Sequence, residues 1–551
     1  MKLDLSLSYF KNLLNFWKNT SSILIILLLT PIIMLIIYSF QNNFETWLHL
    51  FNTKLSLYFF NTFYLMLGVG CISLFIGVSC AWIVTKYKFF LSNYLEWALL
   101  LPAAIPAYIV AYCYTDFLEY GGVVQTTLRD MFDWRSSKEY YFPDIRSMFG
   151  AILILSFALY PYIYFITKVA FKSTPKSLFD VAKIHGKSGF IYVALPMARP
   201  AIIAGLSLVL METISDFGTV EFLAVETITL GIFNLWLGMN NFSAAAQLSI
   251  LAFTFIVVLL GIELSARKNQ RFNDPRTSSF ESKIDEINLK KNIVLFFICL
   301  LPIIFGFIIP VVILINLSLQ SLNQDNFDTF LEISTNSVSI SFFGAFLTIL
   351  FSFIIVVAVK YHGGKKFAFL SSLAGSGYAF PGVILALGTT FFLSLVQDSI
   401  NILFITYNLN WNFTIIGTFA ALLYTYICRF NAIGIGYMNS GIQRISPNLL
   451  DAGRLQGVSF EKSLFKIILP LIRPSILTGF LIVFVDIFKE LPVTLLLRPF
   501  NFETLATYVY QYAKEEMLEQ CALAALLIII IGVIPVIVLN KTINLSYKKQ
   551  Y

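Results

Sequence analysis

Two short stretches place ionisable residues where the chain around them is almost wholly apolar. Glu212 and Asp216 lie four residues apart in one, and Asp486, Lys489 and Glu490 cluster in the other. Positions four apart share a helix face. Charged groups at membrane depth are costly, so they neutralise one another or line a water-filled path. Carboxylate oxygens are hard donors that suit a hard cation. Asp216, Glu490 and the nearby Glu221 therefore define a candidate acidic path, with Glu212 and Asp486 four residues before the first two. The alternative is structural: Lys489 neutralises Asp486 or Glu490. Gly218 and Pro492 lie two residues beyond Asp216 and Glu490, where the backbone can open.

A third stretch, "DVAKIHGKSGFIYVALP" (residues 180–196), contains Gly186-Lys187-Ser188. A phosphate-binding loop needs G-x-x-x-x-G-K-[ST] after a strand. Val181 stands where the first glycine should be, and a membrane exit and a turn precede it. No Ser/His/Asp arrangement stands out. The three histidines (His49, His185, His362) are far apart and suggest no metal site. The six cysteines form no CxxC pair and read as small apolar packers. The chain is thus expected to be no enzyme, to bind no cofactor, and to hold no metal other than at the candidate pair Asp216 and Glu490.

The elements that must position these residues are membrane helices. Of 551 residues, 58% are hydrophobic and 13% charged, and the mean hydropathy is +0.78; soluble domains carry about 25% charged residues. Twelve apolar runs are long enough to span: 22–40, 58–84, 95–117, 148–171, 198–221, 243–264, 293–316, 337–359, 368–396, 411–431, 474–497 and 521–540. Segments inside a bilayer must satisfy their own backbone, so these are helices. "SSILIILLLTPIIMLIIYSF" reads as a retained span and not a cleaved leader.

Lysine and arginine alternate with acidic or nearly uncharged loops if both termini are cytoplasmic. The inward loops hold Lys86, Lys88, Lys172, Lys176, Lys183 and Lys187, and later Arg444, Arg454, Lys462 and Lys466; one outward loop, 118–147, is mixed. The net charge of +7 is then the bias that orients loops, not a nucleic-acid surface. Arg498, Glu515, Glu516 and Glu519 fall outside and read as solvated loop charges, with contact to an external protein the alternative. The polar stretch 266–291 divides two six-helix halves, 1–265 and 292–551.

The halves repeat. Asp180 matches Asp451, Ala182 matches Gly453, Gly186 matches Gly457, and Pro196 matches Pro470. Arg199-Pro200 matches Arg473-Pro474, Glu212 matches Asp486, and Asp216 matches Glu490. Equal crossing numbers make the repeat parallel, about an axis along the membrane normal. In each half the pattern predicts a short cytoplasmic helix interrupted at its glycine, a docking shape for a soluble partner. In the second copy a further amphipathic segment, "SFEKSLFKIILP", should stop near Pro470.

These residues resemble the EAA loop of binding-protein-dependent ABC importer permeases: E-A-A, three residues, G, nine residues, I, one residue, L-P. The second copy fits at full spacing with Asp451-Ala452-Gly453, Gly457, Ile467, Leu469 and Pro470. The first keeps Asp180, Ala182, Gly186, Leu195 and Pro196 but is three residues shorter, which sets the symmetric docking of the two loops in question. "SDFGTVEFLAVETITLGIFNLWLGMNNFSAAAQLSILA" and "FKELPVTLLLRPFNFETLATYVYQYAKEE" resemble the fused, two-repeat permeases of ferric-iron importers. The resemblance implies an all-α inner-membrane subunit of the type I importer kind, in a bacterial cytoplasmic membrane. An extracytoplasmic ferric-binding protein would deliver the ion. Two copies of a separate cytoplasmic ATPase, carrying ATP and Mg, would grip the two loops and drive alternating access. Thiamine permeases share the fused layout, and other permeases share the loop. An ion-coupled secondary transporter and a non-transporting scaffold or sensor are the readings from other classes.

Overall fold

The computed structural model describes residues 2–268, 288–321, 327–409, 411–446, 448–449, 455 and 458–548. Among them the chain is helical and forms no β-strand, the outcome that hydrocarbon solvent imposes on backbone N–H and C=O groups. Among the described residues eleven helices are long and apolar enough to cross a membrane, and the pair Ser92–Ala104 and Ala107–Phe132, bent by 89°, brings the number to twelve if it is one span. The chain is a multi-pass membrane protein.

Several boundaries differ from the sequence reading; the tenth span, for one, is Phe419–Gln443 and not 411–431. The fifth span ends at Ser215 and the eleventh at Phe488, so Asp216 and Glu490 lie beyond helix ends, not within them. Short helices follow at once, Gly218–Phe222 and Pro492–Leu497. The ninth span starts at Gly382, because the run 368–396 is broken after the helix Lys365–Ala374 by a single turn at Gly377–Ala379 and by Pro381. The first half carries the same device. Ser92–Ala98, the turn Leu101–Ala104 and Pro106 lead into Ala107–Leu118. A proline just ahead of the first turn loses no helical hydrogen bond and presets its φ.

Pro470 does not stop its helix. The span runs unbroken over Phe460–Phe488 through Pro470 and Pro474. A proline inside a helix lacks one N–H and clashes with the carbonyl four residues back. Here a wider turn precedes the proline. Leu464–Ile468 is a π-turn closed by Leu469 N–H to the Leu464 carbonyl, and it relieves that clash. Phe190–Ala194 repeats the arrangement ahead of Pro196, with Leu195 N–H bonded to the Phe190 carbonyl.

The chain packs as two compact units: residues 1–42 with 328–507, and 43–327 with 508–551. These differ from the sequence repeat, because the first helix of each half packs with the opposite unit, as does the final helix. Lys2–Ser39 lies against Gly382–Thr406 in one, and Ile309–Ser321 lies against Leu518–Lys548 in the other. Each unit nonetheless reproduces the same internal joint. In one, Ile228 N–H donates to Thr62 Oγ1 at 3.0 Å; in the other, Leu505 N–H donates to Ser337 Oγ at 2.7 Å. In both, a buried hydroxyl on a long helix satisfies a donor that the start of a short helix leaves orphaned.

Candidate functional site

The first candidate docking loop is a helix, Lys176–Ile184. Gly186 ends it at φ +65°. Its N–H bonds the Lys183 carbonyl at 3.1 Å, and Lys187 N–H bonds the Ala182 carbonyl at 2.9 Å. This paired closure needs a left-handed residue at Gly186, which glycine supplies without strain. Lys187 thus contributes its backbone to the cap, and its side chain lies over Tyr192 at 5.1 Å. Ala182 is buried, while Asp180 faces out. Phe179 anchors the helix against Trp82, whose ring also meets Phe171 and Phe190. Val181 and Ile184 are 52% and 82% exposed, an apolar surface fit for a partner.

In the second loop Asp451, Ala452 and Gly457 lie outside the described residues; Pro470 is in the first turn of its helix. The second copy starts its span with an α-turn, Phe460–Ser463, ahead of the π-turn; the first copy begins directly with its π-turn at Phe190. The missing turn comes from the root of the span, and the docking helix of the first copy is whole.

At the first span end, Asp216 accepts from Thr219 N–H and Val220 N–H, both at 3.1 Å, and from the Thr219 hydroxyl at 2.9 Å. It caps Gly218–Phe222, where a carboxylate meets orphaned N–H groups and the positive end of the helix dipole. Glu212 is one turn back on Leu195–Ser215 and raises the local negative potential. At the second span end, Glu490 receives Val493 N–H at 3.3 Å, and Arg429 Nη1 at 3.0 Å. Arg429 and Glu490 are 9% and 7% exposed, so this is a buried ion pair. Tyr426 and Thr494 hydroxyls bond each other beside it, and Thr494 donates to the Glu490 carbonyl at 2.8 Å. Lys489 pairs with Asp486 at 3.0 Å.

Glu221 sits on the short helix that Asp216 caps, but its carboxylate has other partners. Its carboxylate accepts from Lys514 Nζ at 2.7 Å and faces the Tyr510 hydroxyl. Burial, with the Glu221 carboxylate next, pushes that hydroxyl up from the usual phenol range. Arg146 binds Glu119 and, at 3.0 Å, Glu516; Arg498 binds Glu503. Two of the loop charges read as solvated therefore have partners. Arg429 and Tyr510 were missed in the sequence. An arginine within a span is itself a signal; a tyrosine in an apolar segment is not.

The family described as "Binding-protein-dependent transport system inner membrane component" matches the chain twice, over residues 73–277 and 351–549. The chain belongs to this family. The two matched stretches are the two repeats, so the fold is a pair of permease repeats in one chain. The chain is similar to the Fe(3+)-transport system permease protein FbpB 2 of Haemophilus influenzae, 25% identical over 540 residues, 96% of this chain and 98% of that one. A probable molybdenum ABC transporter permease protein of Haloferax volcanii is 30% identical over 127 residues, 22% of this chain and 45% of its own. A spermidine/putrescine transport system permease protein PotC homolog of Mycoplasma genitalium is 35% identical over 89 residues, 16% and 31%. The chain is an ABC permease of the binding-protein-dependent family, a membrane component.

Proposed function

We propose that the protein is the membrane subunit of a ferric-iron importer. The observation that carries this reading is the end-to-end likeness to an Fe(3+)-transport permease, at 96% and 98% coverage; the molybdenum and polyamine permeases match only part of the chain. The oxygen donors at the helix breaks are compatible with a hard trivalent cargo. Both termini and the two docking loops lie on the cytoplasmic side, where lysine is concentrated. An extracytoplasmic binding protein delivers the ion. Two ATPase subunits hold Lys176–Ile184 and its counterpart near Asp451, hydrolyse ATP, and rock the repeats between outward- and inward-facing states. The divider expected at 266–291 joins the two repeats of this fused subunit; its residues 269–287 lie outside the described residues, and its edges belong to the helices Phe242–Lys268 and Leu289–Ile303.

The experiment is radioactive iron uptake in cells that express the chain with its neighbouring binding protein and ATPase. Iron uptake that stops on ATP depletion supports the reading. Uptake of molybdate, thiamine or a polyamine without iron overturns the substrate. Uptake abolished by an uncoupler but indifferent to ATP overturns the mechanism.

A further inference from the structure

Among the described residues no three His, Cys, Asp or Glu side chains converge where a metal could sit. Tyrosine, the remaining hard oxygen donor, changes the picture around Glu221. Tyr112, on Ala107–Leu118, is 1% exposed, and its hydroxyl has no hydrogen-bond partner. A buried hydroxyl without a partner is unfavourable and calls for an explanation. Its electrostatic neighbours include Tyr108, Tyr510 and Glu221. The Tyr112 ring packs edge-on against Phe222 at 4.4 Å, the residue next to Glu221. Tyr510 is 5% exposed, lies 6.2 Å from the Phe217 ring, and turns its hydroxyl to Glu221. One carboxylate and two phenols thus share a small buried region. One side of it is closed by Lys514, whose ammonium sits on Glu221 and over the Tyr510 ring at 5.7 Å. The Lys514 side chain is 60% exposed and can leave for water without crossing the core.

We propose that Glu221, Tyr510 and Tyr112 form an oxygen-donor site that receives the ferric ion in passage, with Lys514 as the resident cation that the ion displaces. The proposal rests on the ferric reading above and adds the ligands. Carboxylate and phenolate are the hard donors a trivalent cation prefers. Each phenol gives up its proton to solvent as it ligates. Lys514 keeps the partly buried carboxylate neutralised when no ion is present, which lowers the cost of an empty site.

The full chain in lipid nanodiscs, titrated with ferric nitrilotriacetate, tests this directly. Ferric phenolate absorbs in the visible. The wild type should develop such a band, Tyr510→Phe and Tyr112→Phe should each reduce it, and the double variant should abolish it. Glu221→Gln should weaken ferric binding at least tenfold, and Lys514→Met should strengthen it. Tyr112→Phe removes an unpartnered hydroxyl, so its melting temperature should hold or rise, whereas a merely structural hydroxyl would cost stability on removal. A wild type without the band, or a band equal in the double variant, overturns the site. Iron uptake by the complete transporter separates the two failures. Uptake that is normal in wild type and in the double variant sinks the site and leaves the ferric reading standing. A wild type that takes up no iron sinks both.

Discussion

The two span ends solve one problem with different chemistry. At each, a long helix stops, a short one begins, and a carboxylate receives the orphaned N–H groups at the new start. Asp216 does this with neutral donors alone. Glu490 does it while paired to a buried guanidinium and flanked by the Tyr426 and Thr494 hydroxyls. A carboxylate whose lone pairs already serve a buried arginine has little left for a passing cation, and its neutral pair presents no net charge. The duplication therefore yields a joint locked by an ion pair in one repeat and, among the described residues, a carboxylate held by neutral donors in the other. Of the two candidates for an acidic path, Asp216 retains the chemistry for it.

The largest test breaks the lock. Arg429→Met leaves Glu490 buried without its cation, a loss of about 3–5 kcal/mol. The protein should lose monodispersity in detergent and its melting temperature should fall sharply. The double variant Arg429→Met, Glu490→Gln should recover most of the loss, because no charge is then stranded. If both single variants melt like wild type, the joint is not locked by this pair.

A smaller perturbation reaches the same pair from the side. A methyl at Gly382 would overlap Arg429 Nη1 and stand 2.9 Å from Glu490 Oε1. Gly382→Ala should displace the guanidinium and cost about 1–3 kcal/mol, the usual range for overpacking. Combined with Arg429→Met it should cost much less, since the obstructing atom is gone. Equal melting shifts with and without Arg429 would place the strain elsewhere.

The legibility of this architecture followed the range of the interactions. Helices and their number were visible because each span carries its own apolar composition. The breaks that hold Asp216 and Glu490 are signalled by Gly218 and Pro492, although the apolar runs continue past both helix ends. Pro470 misled, because whether a proline ends a helix depends on the turn before it, and the π-turn at Leu464–Ile468 has no sequence signature. Arg429 pairs with a residue 61 positions away, and Tyr510 faces Glu221 across an even longer separation. Neither spacing leaves a periodicity to read. The exchange of terminal helices between the packing units is likewise a matter of tertiary placement.

On the Asp216 side, Asp216→Asn separates charge from capping. The amide oxygen still accepts from Thr219 and Val220, so stability should stay within about 1 kcal/mol of wild type. If that charge serves the cargo, iron uptake should nonetheless fall several-fold, while Glu490→Gln with Arg429→Met loses uptake only in proportion to the folded protein that remains. Full uptake by a stable Asp216→Asn complex would reduce Asp216 to a cap and make the two joints equal in function.

The smallest expected effect on stability lies at the docking helix, and it tests whether the comparison extends from the span ends to the loops. Gly186 sits at φ +65° with open space where a side chain would go, so the strain of Gly186→Ala is in the backbone alone, about 1 kcal/mol. The span helices do not depend on that turn, and the melting temperature should barely move. The Ala182–Lys187 closure does depend on it, and with it the angle at which Lys176–Ile184 presents Val181 and Ile184. Substrate-stimulated ATPase activity of the assembled transporter should therefore fall more than stability does. A matching change at Gly457 tells whether the handles contribute equally. Because the missing turn lies at the root of the span and not in the docking helix, the two losses should be similar. A loss confined to Gly457 would mean that the shorter span root holds the first handle away from its partner.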